Sequence, residues 1–301
     1  MDKSIPSLLL ILGVKCLLNW TVVLSLWRHM GRSFLGTFCV SLSLADTLLG
    51  LALSAIYGLK DFRLLGLRFT QHHICLLIQI ACFTYSLLHW PLFILAGLDH
   101  YWTQRLCPHL LHWSRRLAYA LGVCVVWTLA LLYVFLASDS HPDLEEDFHL
   151  LLHSCLMSGS PQTTQVSTVL LLALGCTFLY CYPELRTAAS AGRGGARPVP
   201  SVFRTGRPLS RHVLWLTAKR FLSMWAPFIV FQSAVLLLRV EIPAYLDMNV
   251  PWLCFLNSFL IGAVSWNRFR NFNLGKSPVS VDGFCDWDFG SISAEVNGEM
   301  A

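Results

Sequence analysis

FLGTFCVSLSLADTLLGLALSAIYG, residues 34–58, is the stretch whose reading decides the fold. It is long enough to cross a bilayer as one helix, and its single charged side chain is Asp46. A helix of that length on the surface of a soluble core would carry a polar stripe instead. Before it, IPSLLLILGVKCLLNWTVVLSLW (5–27) exceeds the apolar core of a signal peptide and lacks a small-residue cleavage site. It therefore reads as a retained first span. Five further apolar runs follow, so helices are expected at 5–27, 34–58, 73–104, 115–137, 165–186, 209–239 and 250–270. Hydrophobic residues make up 55% of the 301 positions and charged residues 13%, with a mean hydropathy of +0.57. Soluble domains carry about 25% charged residues, so the excess apolar surface must face lipid. The expected architecture is all-α, a seven-transmembrane helical bundle over residues 1–275 followed by a tail at 276–301.

Loop charge orients the bundle. With the N-terminus outside and the C-terminus cytoplasmic, the inner side collects Arg28, Arg32, Arg105, Arg115, Arg116 and the arginines of the third inner loop. Lys219, Arg220, Arg268, Arg270 and Lys276 complete a set of 16 of the 22 basic residues. The outer side keeps Lys3, Lys60, Arg63, Arg68 and Arg239. Short loops rich in Lys and Arg stay cytoplasmic, and an even number of spans would scramble the asymmetry. The Gly-, Pro- and Arg-rich stretch 187–208 reads as an inner linker with affinity for anionic lipid or an acidic partner. Residues 138–164 form an outer loop carrying Asp139, Asp143, Glu145, Glu146 and Asp147, read as solvated or as a surface for basic ligands.

Several chemistries are disfavoured. None of the eleven cysteines forms a CxxC pair, which argues against a zinc or disulfide-rich module. The GRGG run has no following Gly-Lys-Ser, so no phosphate loop is expected. Matched broken helices of a transporter and an intramembrane metal or Ser/His set are not evident. No enzyme activity, cofactor, metal site or nucleic-acid partner is expected. The only glycosylation sequon, at Asn19, Trp20 and Thr21, lies inside the first span.

SLSLADTLLG with Asp46, Cys75 followed 24 residues later by Asp99, His100 and Tyr101, Trp127, and the set Phe221, Trp225 and Pro227 occur in that order. In this arrangement the chain resembles the rhodopsin-like (class A) G-protein-coupled receptors, over residues from about 5 to 272. Two runs, 68–93 and 242–264, are similar to one orphan branch of that family.

The resemblance implies a disulfide between Cys75 and Cys155, joining the third helix to the acidic loop. It also implies a buried polar network. In the family the aspartate at Asp46 binds sodium, helped by groups whose places here are held by Asn19, His89, Asn257 and Ser258. Because His89 stands for a serine, the expectation is that His89 pairs with Asp46 and sodium binds poorly; hydrogen bonding of His89 elsewhere in the bundle is the alternative. The cytoplasmic switch, Asp-Arg-Tyr in the family, is Asp99, His100 and Tyr101, and histidine does not reproduce arginine's permanent charge or five-donor fork. The Asn-Pro-x-x-Tyr run is replaced by Ile261 to Ser265, and the fifth helix has Pro183 only near its inner end. The helix-six switch of Phe221, Trp225 and Pro227 is kept. Cys82 and Phe255 stand where amine receptors and opsins keep an aspartate and a lysine, which disfavours both ligand classes.

The function implied is an orphan receptor at the plasma membrane, a multi-pass protein set in membrane lipid. Its unknown extracellular ligand would be of the peptide class if the acidic loop contributes, and its inner partner a heterotrimeric G protein or arrestin. A non-signalling seven-helix scaffold, partner to other receptors, is the alternative reading.

Overall fold

A computed structural model of the chain describes residues 2–59, 62–64, 67–69, 72–105, 112–137, 154–156, 161–191, 208–239, 242–272, 280–281 and 283–287. Among these, seven helices are long and apolar enough to cross a membrane. They are α1 (Ile5–Ser25), α3 (Phe34–Leu59), α4 (His72–Arg105), α5 (His112–Ala137), α6 (Pro161–Ala191), α7 (Pro208–Leu237) and α9 (Val250–Phe272). Two single turns, α2 (Trp27–Met30) and α8 (Ala244–Asp247), lie between them in sequence. The first helix ends two residues before its expected limit, and α2 follows. The fifth long helix starts at Pro161, which has no amide hydrogen to lose in a first turn.

Short strands pair antiparallel: β1 (Asp2–Ser4) with β4 (Ser154–Leu156), β2 (Phe62–Leu64) with β3 (Leu67–Phe69), and β5 (Ser280–Val281) with β6 (Asp286–Trp287). The β1–β4 register sets Lys3 opposite Cys155, so the N-terminus is hydrogen-bonded to the end of the acidic loop.

The chain divides into two compact units, Met1–Val166 with Val240–Leu256, and Ser167–Arg239 with Asn257–Ala301. In the first unit, α3 packs on α1, α4 and α5, and α8 packs on α4. Leu8 and Leu12 of α1, Leu35, Phe38 and Leu42 of α3, and Leu88 and Leu92 of α4 are fully buried. Phe38 stacks on Trp127 at 5.3 Å, and the Trp127 indole donates to Ser41 Oγ at 3.0 Å, which ties α5 to α3.

Polarity runs opposite to that of a soluble protein. Asn19, Ser43 and Asp46 are 0% exposed, whereas Leu10, Leu17 and Leu48 are 71%, 70% and 67% exposed. A leucine surface of that kind is stable against lipid and not against water.

The joint between α2 and α3 is sterically tight. Ser33 Oγ accepts from the Gly36 amide at 3.1 Å, capping α3. A Cβ at Gly36 would run into the Met30 carbonyl, so only glycine allows this approach.

In the second unit, Phe178 of α6 meets Trp215 of α7 edge-on at 6.0 Å, and Ser167 reaches Gln232 at 3.4 Å. Pro227 lies inside α7, where it removes one backbone hydrogen bond.

Candidate functional site

The first unit is built around a buried carboxylate. Lys15 and Asn19 are four residues apart on α1, so their side chains share one face. That face meets Asp46 of α3. Lys15 Nζ lies 2.8 Å from Asp46 Oδ2 and 2.9 Å from Oδ1, with the two side chains 4% and 0% exposed. Asn19 Nδ2 donates to Oδ2 at 2.9 Å, and the Tyr85 hydroxyl of α4 donates to Oδ1 at 2.7 Å. The ammonium also sits 4.8 Å from the centre of the Tyr85 ring, a favourable cation–π placement. An isolated charge in a bilayer is strongly disfavoured. Here the carboxylate has three donors, one of which, Lys15, is its counter-ion.

A segment between the last two long helices closes this cluster. The Tyr245 carbonyl of α8 accepts from Lys15 Nζ, and the Cys82 thiol is hydrogen-bonded to the Tyr245 backbone. Asn19 Oδ1 accepts from the Val250 amide at 3.0 Å, the first residue of α9. Asn249 caps that helix, its Oδ1 taking the Trp252 amide at 2.9 Å while its amide nitrogen donates to Leu246 O at 2.8 Å. Ala244, Tyr245 and Met248 are all buried. Lys15 and Asn19 satisfy two of the segment's polar backbone groups. The Tyr245 hydroxyl is buried with no hydrogen-bond partner among the described residues. Burial pushes its phenol up to about 12, so it stays a donor.

His89 lies one turn along α4 from Tyr85, and the structure corrects the expected pairing with Asp46. His89 Nδ1 is 3.0 Å from the Tyr85 carbonyl, and Nε2 is 2.7 Å from Thr163 Oγ1 of α6. The longer tyrosine reaches the carboxylate, and the histidine is left to bond its own helix and Thr163. A nitrogen facing a carbonyl must carry hydrogen, so Nδ1 donates to Tyr85. Thr163 is also hydrogen-bonded to Asp247 of α8. Burial pushes the Asp247 carboxyl up to about 7, against the opposing effects of that hydrogen bond and of the Lys15 charge. Asp46, Tyr85, His89, Thr163 and Asp247 thus form one polar chain ending on α8.

A second carboxylate organises the other end of α4. Asp99 Oδ2 accepts from the Phe34 amide at 3.1 Å, at the start of α3. Its Oδ1 accepts from the Tyr119 hydroxyl at 2.7 Å and from Thr103 at 3.3 Å. A carboxylate at a helix N-terminus is stabilised by the unpaired amides there. Asp99 therefore joins three helices rather than acting alone with its neighbour His100. Tyr101 is 37% exposed.

Ser258 Oγ is buried without a hydrogen-bond partner among the described residues, and Asn257 is half-buried; both belong to the second unit. Phe221 and Trp225 are buried in that unit, and Pro227 is exposed. Cys75 is disulfide-bonded. The Cys155 side chain, Arg207 and nearly all of the acidic loop lie outside the described residues. Asn19, the sequon asparagine, is committed to Asp46 and the Val250 amide. The described residues hold no group of three or more His, Cys, Asp or Glu placed to bind a metal.

Lys15 was the member of the cluster that the loop-charge reading left unassigned, and its signal was present. An ionisable residue four positions before a buried asparagine in an apolar helix calls for a partner. Tyr85 and Tyr245 had no comparable signal.

No family model matches the chain. Probable G-protein coupled receptor 160 of Homo sapiens is 33% identical to it over 297 residues, covering 95% of this chain and 87% of that protein. The proteins of the same name from Rattus norvegicus and Mus musculus are 35% and 37% identical, with the same coverage.

Proposed function

This chain belongs to the family of probable G-protein coupled receptor 160, and from that premise we propose that it is a receptor whose own lysine replaces the sodium ion of related bundles. It is a seven-helix, multi-pass protein of the plasma membrane and a receptor rather than an enzyme. We assign the N-terminus to the outside and residues 276–301 to a cytoplasmic tail, as loop charge requires. A disulfide from Cys75 to Cys155 would hold the outer loop to α4.

The observation that carries the proposal is the 2.8 Å contact between Lys15 and a fully buried Asp46. A tethered ammonium leaves no place for a mobile cation, and it fastens the α8 backbone to the same carboxylate. Ligand binding then acts on α8, because a ligand shifts a two-state bundle only through contacts that differ between the states. The Tyr245 hydroxyl is the buried donor that an entering acceptor group would satisfy, and the acidic outer loop suits a peptide with basic residues.

Thermal unfolding of the purified protein in sodium and in N-methylglucamine buffers tests this. Wild type should unfold at the same temperature in both. Sodium-dependent stabilisation of wild type would overturn the reading.

His100 favours a second reading, a bundle that does not signal. The family's arginine meets the G protein, and an imidazole has neither its permanent charge nor its five-donor fork. Basal and ligand-driven G-protein activation of wild type and His100→Arg separates the two. Silence of both favours a scaffold, whereas activity in His100→Arg alone places the block in this motif.

A further inference from the structure

The chain beyond α9 returns to the second unit. Its β5 and β6 strands pair Ser280 with Trp287 and Val281 with Asp286. Gly283, with φ of 94°, supplies the left-handed position that the connecting turn needs. The hairpin is not laid on solvent. Phe284 packs against Trp225 of α7 with ring centres 4.9 Å apart, and Trp287 stacks on Phe221 at 6.2 Å and 26°. Gly262 of α9 forms the bed of the Trp287 ring, since a Cβ there would lie 3.0 Å from the indole. Cys285 and Trp287 are 5% and 3% exposed. Phe221 also meets Phe259 of α9 at 6.1 Å, so the tail tryptophan covers a seam between two helices.

We propose that the tail hairpin, residues 280–287, is an intramolecular strap that holds α7 to α9 and must lift off before α7 can swing. The aromatic contacts favour docking. Against them stands the Trp287 Nε1–H, buried with no hydrogen-bond partner among the described residues. An unsatisfied buried donor opposes burial, so among the described residues ring packing is what keeps the Trp287 indole down, and the strap is releasable. While it is docked the Cys285 thiol is shielded from acylation and alkylation; release exposes it. The strap rests on the receptor reading only in taking α7, with Pro227, as the moving helix.

The test uses the full chain in nanodiscs. N-ethylmaleimide alkylation of Cys285 is followed by mass spectrometry on the peptide from Ser277 to Ala301, which contains no other cysteine. Wild-type Cys285 should react slowly. Trp287→Ala, which removes the stacked ring, and Gly262→Val, which fills its bed, should each speed the reaction by about tenfold or more, as expected when a locally closed state is opened. Two variants acting from opposite sides guard against misfolding of one, and thermal unfolding confirms that each is folded. Equal alkylation rates in wild type and both variants would overturn the strap. Basal recruitment of a G-protein α subunit is measured in the same variants. A rise with faster alkylation supports strap and receptor together. Faster alkylation without any recruitment supports the strap and counts against the receptor reading.

Discussion

Replacing Lys15 with methionine removes the counter-ion of Asp46 while nearly preserving side-chain length. Asn19 and Tyr85 still donate to the carboxylate, but its charge is no longer balanced, and the Tyr245 carbonyl loses the Lys15 donor. Breaking a buried ion pair by deleting one partner costs about 3–5 kcal/mol. By the scaling for large domains, that lowers the unfolding temperature by roughly 10 °C. Asp46→Asn strands the ammonium instead and should cost a similar amount. The double variant has no buried charge left over. Its remaining defect is the Tyr245 carbonyl, on the order of 1–3 kcal/mol for one unsatisfied polar group. The double variant should therefore be more stable than either single one, by about 2 kcal/mol or more in a thermodynamic cycle. The assay is thermal unfolding in nanodiscs, which needs no ligand. Lys15→Ala, which does empty the position, should gain stabilisation by sodium, because the space left faces the Asp46 carboxylate and the Tyr245 carbonyl. If the two single losses simply add in the double variant, Lys15 and Asp46 do not act as a pair and the reasoning fails.

Three further outcomes are expected. Asp247 holds a proton in the folded state up to about pH 7, a proton that the unfolded chain has released already in the ordinary carboxylate range; stability should thus fall as pH rises through that window, and Asp247→Asn should flatten the profile of unfolding temperature against pH. Gly36→Ala should be severely destabilising because its Cβ meets the Met30 carbonyl, whereas Gly13→Ala, with nothing within 4 Å, should change the unfolding temperature little or raise it. Tyr119→Phe removes the 2.7 Å bond to Asp99 and should cost about 1 kcal/mol, with Thr128→Val on the exposed face of α5 as the neutral control.

Much of the fold was legible in the chain itself. Hydropathy located all seven long helices, because a bilayer imposes one length and one polarity on every span. Asp46 was legible as a centre for the same reason, since a carboxylate in an apolar helix cannot stand alone. Asn19 was found through its place in the family pattern. Lys15 was equally visible and is explained by the i,i+4 face it shares with Asn19. The partner of Asp46 on α4 was misplaced by one turn, at His89 instead of Tyr85. Sequence order does not say which of two neighbouring turns faces the carboxylate, or which side chain is long enough to reach it.

The sequence by itself determined the lipid-facing helices, their number, and the presence of a buried charge, because these depend on local composition and on the bilayer as solvent. Tertiary structure alone decided what meets that charge. The ammonium arrives from α1 and the phenol from α4, and the ammonium is in turn bound by a backbone carbonyl of α8, 230 positions along the chain. It likewise decided that Asp99 caps α3 and that Trp287 lies on Gly262. Such contacts are set by the rotation and depth of whole helices, which follow from the packing of many side chains and leave no periodic mark in any one segment.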